Sequence, residues 1–391
     1  MKQQWLPKIK FQQLQDKLLR SIIVHCFKNV PFYRSLWKKS KVNISSIRTT
    51  NDLKKLPIIS KDDIVKNYSE FFASNYSQHT ALVRETSGSL KKMRVFFDER
   101  CWDYMQAIYL RTLFSVGYNP HKPLAFFWAD PPQVSFLNYF GLFKKIWIPA
   151  SLSEEEQLDV LERENPPQIY YFSTSLFLLA QLMLKKGLKL SPELIITQAD
   201  LLTNGMRNII KKAFNEAPVL DTYGAQEIGY IGWECKESGS YHINSDLVYL
   251  ELLDKNRENV SNGEEGSVIL THFANYLFPL IRYEIGDICV ASDEQCSCGR
   301  SLPLVKSIEG RKKEVWDGRK ICPKKLIDNL IYHGITKFKV KITNNCLYLL
   351  VPRGVELQKV RDACPFSNVR IKFTNPVKKT KRGKIFLVER I

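Results

Sequence analysis

Apolar residues return at every fourth position, Leu14, Leu18, Ile22 and Cys26, ahead of Pro31, and this spacing predicts a helical region over 8–40. A second helical pattern covers 98–117. From there short apolar runs alternate with amphipathic ones: strands at 124–128, 168–172 and 194–197, helices at 154–164, 176–186 and 206–214, then the apolar Pro218-Val219-Leu220. Such alternation predicts a layered α/β core with largely parallel strands. From Tyr241 onward the pattern shortens to strands at 248–253 and 267–271 around the turn-rich 261–266. After Arg311 a small α+β lobe is expected, with strands at 338–343 and 346–351 and a helix at 356–363. The expected fold is therefore α/β: a large layered N-terminal domain over 1–311 with a β-rich subdomain, and a small α+β C-terminal domain over 312–391.

Length agrees, because 391 residues exceed the roughly 250–300 at which a single core stops growing. No apolar run approaches the roughly 18–20 residues that span a bilayer, and the opening Met1-Lys-Gln-Gln-Trp5 carries no signal-peptide core, so a cytoplasmic location is expected. Cysteines at 26, 101, 289, 322, 346 and 364 are scattered without a disulfide framework and are expected to be reduced. Charge is concentrated at one end. The formal net charge is +18, and residues 312–391 hold 20 Lys and Arg against 6 Asp and Glu, a difference of +14. An excess this local points to an acidic partner for the C-terminal lobe, with nucleic acid as the competing candidate and a plain lysine-rich surface as the third.

Cys235, His242, Cys296 and Cys298 fall in two pieces, Cys235-x6-His242 and Cys296-Ser-Cys298-Gly299. Thiolate and imidazole are zinc ligands, and the glycine lets two sulfurs converge in a tight bend, although ordinary buried cysteines would also account for them. Four coordinating side chains would make such a zinc structural, within about 235–298.

Between and around these pieces stand Asp221-Thr-Tyr223-Gly224-Ala-Gln-Glu227, Arg282-Tyr283-Glu-Ile-Gly286-Asp287 and Gly310-Arg311. Upstream is Glu85-Thr86-Ser87-Gly88-Ser89, and near the end Lys381-Arg382-Gly383-Lys384-Ile385. In this order the five stretches resemble the adenylate-forming, acyl-CoA synthetase-like superfamily of AMP-forming ligases. Within it they look like the phenylacetate-CoA ligase branch with its capsule-biosynthesis and deazaflavin-coenzyme-adenylylating relatives. Asn29-Val-Pro31-Phe-Tyr33 and the stretch from Leu53 to Lys61 are similar to that branch as well.

The resemblance implies a role for each position. Thr86, Ser87, Gly88 and Ser89 would cradle phosphate with hydroxyls and backbone N–H groups. Leu90, Lys91, Lys92 and Met93 stand where the family continues Thr-Gly-Lys-Pro. Ala199 and Asp200 would border adenine, with Gln198 in place of the family's glycine. Tyr223 would lie against the base beside Gly224, and Glu227 would hold Mg²⁺ through a hard oxygen donor. Asp287 would accept from the ribose hydroxyls, since a carboxylate is acceptor-only and takes both donors. Arg311 would reach ribose or phosphate. Lys384 would act catalytically at the α-phosphate and acyl oxygens.

The expected function is an ATP-dependent, AMP-forming ligase that activates a carboxylic acid as acyl adenylate and passes it to a thiol, coenzyme A or an acidic carrier protein. ATP, Mg²⁺, structural Zn²⁺ and coenzyme A are the cofactors implied, and a homodimer stays open. Two alternatives remain: an adenylyltransferase leaving a stable AMP adduct on a hydroxyl, and a degenerate nucleotide- or nucleic-acid-binding homologue.

Overall fold

Lys8–Asn29 forms a helix, but Val30 lies in extended backbone and Pro31 opens a second helix, Pro31–Lys39. Proline has no N–H to give to the preceding turn and its fixed φ suits the first helical position, so the expected region over 8–40 divides here. Of the expected stripe Ile22 and Cys26 are buried, while Leu14 and Leu18 are half-buried. Phe11, Leu19, Ile22, Ile23 and Cys26 are buried, together with Gln15, whose amide donates to the Ser245 carbonyl oxygen at 2.9 Å.

The computed structural model describes residues 2–77, 79, 81–86, 93–312, 323–343, 346–364, 369–374, 385 and 387–390. The fold is mixed α/β and divides into two compact units: Met1–Ser115 with Tyr223–Ile308, and Val116–Thr222 with Glu309–Ile391. Each has its own hydrophobic core.

In the second unit the expected alternation holds. Parallel strands Lys145–Pro149, Leu124–Trp128, Gln168–Phe172, Leu194–Gln198 and the start of Val219–Ala225 lie side by side in that order. Helices Glu154–Glu164, Ser173–Lys186 and Asn204–Ala213 supply the crossovers that parallel pairing requires. The first of these starts on a capping box, Ser153 with Glu156, and ends on Asn165 in the left-handed region, as its sequence suits. Of the C-terminal residues, Pro323–Tyr332 and Leu357–Ala363 are helical. Val369–Phe373, Leu347–Val351, Lys339–Ile342 and Val388–Arg390 form a four-stranded sheet in that order. Leu326, Ile327, Val340, Leu349 and Val388 share one core with Leu176, Met206 and Ile210. Asp328 also accepts from the Gly205 N–H at 2.7 Å.

In the first unit the sheet is antiparallel where its register is defined, for example Val248↔His272 and Trp233↔His242. Strands Gly229–Glu234, Tyr241–Ile243 and Tyr283–Ala291 carry polar and glycine residues at positions where strict alternation would need apolar ones, and the sequence pattern does not reveal them. A buried ion pair ties the helix Glu99–Ser115 to this unit: both terminal nitrogens of Arg111 meet Asp246, at 2.7 and 2.6 Å. Removing one partner of such a pair leaves the other charge buried alone. Among the described residues no helix is long and apolar enough to cross a membrane.

His272 is fully buried in this unit. Its Nε2 faces the Ile228 carbonyl oxygen at 3.2 Å, and its Nδ1 accepts from the Ala274 and Asn275 N–H groups at 3.1 and 3.0 Å. Burial pushes its pKa down to about 4, so the folded imidazole is neutral. The unfolded chain binds the proton first, so this group's contribution is complete above about pH 6.5 and is lost as pH falls toward 4. At pH 5 the loss is expected to be about 2 kcal/mol. Urea midpoints at pH 7 and pH 5 for wild type and His272→Gln test it: the pH-dependent loss should be smaller in the variant, and parallel loss in both would refute it.

Candidate active site and metal centre

Asp287 lies within the strand Tyr283–Ala291. Its neighbours on that strand alternate in burial, so Tyr283, Ile285 and Asp287 share the buried face. Gly286 adopts φ +87° within this strand, a left-handed conformation that favours glycine. Two side-chain contacts join this face to the segment 223–227. The Tyr223 hydroxyl donates to Asp287 Oδ2 at 2.7 Å, and the Tyr283 hydroxyl donates to Glu227 Oε1 at 3.4 Å. Residues four apart on one segment thus meet residues four apart on the other, in reverse order. Both carboxylates are buried, Glu227 at 7% and Asp287 at 6% exposure. Gly224 sits between the two contacts, and a Cβ there would stand 2.8 Å from the Gly229 carbonyl oxygen, so a larger residue would force the backbone apart. Tyr283 carries no role in the motif reading, and the approach of its hydroxyl to Glu227 marks it as a site residue.

Thr86 closes the foot of the expected phosphate loop. Its N–H donates to the Met93 carbonyl oxygen at 2.8 Å, and its hydroxyl accepts from the Met93 N–H and from Lys61 Nζ, each at 3.0 Å. Lys61 therefore places a cation on Thr86; it ends the stretch from Leu53 that resembles the branch, where the resemblance assigns it no role. Ser87, Gly88 and Ser89 lie outside the described residues, as does Lys384.

The second unit holds the remaining positions. Ala199 follows the strand Leu194–Gln198 at φ +64°, a left-handed backbone that costs a non-glycine residue about 1–2 kcal/mol and clusters at functional sites. The Asp200 N–H closes the turn onto the Gln198 carbonyl oxygen at 2.8 Å. Arg311 ends the strand Leu304–Arg311 just after Gly310, whose φ of +112° only glycine adopts readily.

The four metal-ligand candidates do converge. One ligand atom from each of Cys235, His242, Cys296 and Cys298 lies within 4.8 Å of the others. Cys235 and Cys296 sulfurs are 3.5 Å apart, and His242 Nε2 is 3.2 Å from Cys298 Sγ. A tetrahedral zinc with bonds of about 2.3 Å to sulfur would hold its sulfurs about 3.8 Å apart, so the donor set fits in kind and spacing. His242 Nδ1 faces the Leu302 carbonyl oxygen at 3.2 Å, which presents Nε2 as the ligating nitrogen. Burial takes this imidazole down to about 4, which keeps it neutral as ligation requires. The turn after the cysteines also binds the chain's beginning. Arg300 Nε donates to Gln4 Oε1 at 3.1 Å, its guanidinium lies 4.8 Å from the Trp5 ring centroid, and the Ser301 N–H donates to the Gln4 carbonyl oxygen at 2.9 Å.

No family model matches the chain. It is 24% identical to the phenylacetate-coenzyme A ligase of Thermus thermophilus, over 79% of this chain and 72% of that protein. It is likewise 24% identical to protein CapK of Staphylococcus aureus, over 95% of this chain and 87% of that protein. Among solved structures, 2-hydroxyisobutyryl-CoA ligase in the postadenylation state superposes with a TM-score of 0.80 at 16% identity, covering 97% of this chain and 90% of that one. The fold is thus that of adenylate-forming ligases. In sequence the chain is similar to phenylacetate-coenzyme A ligases and to CapK, and in fold to adenylate-forming ligases.

Proposed function

We propose that the protein activates a carboxylic acid with ATP and transfers the acyl group to a thiol, with coenzyme A as the acceptor. A carboxylate oxygen attacks the α-phosphorus of ATP, the bond to the bridging oxygen breaks and pyrophosphate leaves; the thiol sulfur then displaces AMP from the acyl carbon and gives up its proton. The observation that carries this reading is the pair of contacts Tyr223–Asp287 and Tyr283–Glu227, which unites motif positions 64 and 56 residues apart in two buried tyrosine–carboxylate pairs.

In this reading Asp287 accepts from the ribose hydroxyls, Tyr223 borders the base, and Ala199 and Asp200 supply the adenine loop. Glu227 would hold Mg²⁺, whose charge neutralises phosphate oxygens, and a buried carboxylate is the hard donor that ion takes. Thr86, with Ser87, Gly88 and Ser89, contacts the leaving phosphates, and Lys61 adds charge at the foot of that loop. Arg311 reaches ribose or phosphate. Residues 1–311 form the adenylation core and 312–391 the C-terminal lid, which delivers Lys384; the separate small sheet of that segment supports this division. Its charge of +14 suits the phosphates of coenzyme A or an acidic carrier protein. Cys235, His242, Cys296 and Cys298 would hold a structural zinc, because four protein ligands leave no open position.

ATP–pyrophosphate exchange across a panel of carboxylic acids tests the function. Exchange that requires an acid and Mg²⁺ is expected. Absence of acid-dependent exchange, with a stable AMP adduct formed on a hydroxyl compound, would replace the ligase by an adenylyltransferase.

A further inference from the structure

The parallel sheet of the second unit has two unlike faces. Register places Phe126, Trp147, Tyr170 and Ile196 on one side, and Phe172 beside Gln198 on that same side. The other side, with Ala125, Phe127, Ile169 and Tyr171, lies in the helix-packed core, which Phe172 joins at the strand end. The first face is aromatic: the Phe126 and Tyr170 rings stack at 5.7 Å with 8° between their planes, and Trp128 lies 5.5 Å from Phe172.

At the carboxyl end of this face stands Gln198, 8% exposed. Its Oε1 accepts from the Tyr170 hydroxyl at 2.5 Å, which turns the amide nitrogen the other way. That nitrogen, Nε2, is fully buried and has no hydrogen-bond partner among the described residues. A buried donor left unmatched costs about 1–3 kcal/mol, and such groups in native folds call for an explanation. Carboxyl ends of parallel strands are where open α/β sheets bind ligands, and aromatic walls with one or two placed polar groups are the usual composition of a small-molecule site. The residue that follows, Ala199, is held in a left-handed conformation, a second mark of a functional position.

We propose that Gln198 Nε2 donates a hydrogen bond to an acceptor oxygen on the body of the acid substrate, beyond its reacting carboxylate. The site then selects hydroxy, keto or dicarboxylic acids over their plain hydrocarbon counterparts. The identity of the ligand as an acid rests on the ligase reading; the presence of a buried donor awaiting an acceptor does not. Gln198 is the specificity-determining residue, and Tyr170 is a positioning residue that fixes which end of the amide faces the ligand.

Matched pairs of acids test this: isobutyrate against 2-hydroxyisobutyrate, butyrate against 3-hydroxybutyrate, and phenylacetate against mandelate. Each is measured by exchange kinetics and by calorimetric binding without ATP, in wild type, Gln198→Leu, Gln198→Glu and Tyr170→Phe. Wild type should prefer the oxygenated member of at least one pair by about 10- to 100-fold in kcat/KM, the scale set by an unmatched polar group in a buried site. Gln198→Leu should bring that ratio near one, the oxygenated acid losing more than its hydrocarbon counterpart. Gln198→Glu, which keeps the shape and replaces the donor by an acceptor, should disfavour a keto acid, phenylglyoxylate against phenylacetate, because a keto oxygen can only accept whereas a hydroxyl can also donate. Tyr170→Phe should narrow the ratio without abolishing it. No preference in wild type, equal loss for both members of every pair, or a raised KM for ATP with all acids would overturn the proposal; the last would assign the donor to the nucleotide. Calorimetric selectivity that depends on Gln198, with no exchange for any acid, would uphold it while removing the ligase reading.

Discussion

Lys384→Ala is expected to cut acyl-adenylate formation by about 10²-fold or more, the scale of losing one preorganised electrostatic contact to developing charge. A compact ammonium on a flexible stem suits the α-phosphate and acyl oxygens, and the Gly383-Lys384-Ile385 frame is what singles this lysine out from its basic neighbours. ATP should still bind, because Asp287 and Glu227 belong to the first unit and are untouched. Transfer from a supplied acyl adenylate to coenzyme A should survive. Single-turnover measurement of the two half-reactions separates these outcomes: equal loss of both would mean misfolding or a different catalytic residue, and an unchanged first step would remove Lys384 from the chemistry.

Loss of the metal should act on stability and not on chemistry. One zinc per chain is expected by elemental analysis, and Cys296→Ser with Cys298→Ser should abolish it. The folded state should lose several kcal/mol, scaled down from the roughly 10–16 kcal/mol apparent for isolated zinc-finger peptides. A local effect should come first. Gln4, Trp5 and Leu6 are held by the turn at Arg300 and Ser301, so chelation should raise hydrogen exchange and protease cleavage at the start of the chain before global unfolding. Metal content near zero in the purified protein, or a melting temperature that does not respond to the double change, would remove the zinc assignment.

Most of the second unit was legible because its helices and strands differ in period. Strands at Leu124–Trp128, Gln168–Phe172 and Leu194–Gln198, and the helices between them, lie within a few residues of the expected positions. The helix Ser173–Lys186 starts three residues earlier than its apolar run, since Ser173, Thr174 and Ser175 are buried and give no periodic signal. The first unit was harder. Tyr283-Glu-Ile-Gly286-Asp287 has the composition of a turn, yet it runs within a strand whose antiparallel register along Glu265–His272 holds at Tyr283 and Glu284 and again from Ile288, and shifts in between. Gln15 was invisible as well: a polar residue is buried where a distant carbonyl oxygen meets it.

What the chain declares unaided is chemical type and local period: three thiols and an imidazole of ligand character, carboxylates and a lysine in a family order, and the concentration of basic charge in residues 312–391. These are properties of residues and their near neighbours, and no distant contact is needed to read them. Folding alone decides which groups meet. It sets Tyr223 against Asp287 and Tyr283 near Glu227, brings His242 to Cys298 across 56 positions, and turns the Gln198 amide by way of Tyr170. Hydrogen bonds and ligand shells act over about 3 Å, and separation along the chain says nothing about distance on that scale until packing has closed the loops between.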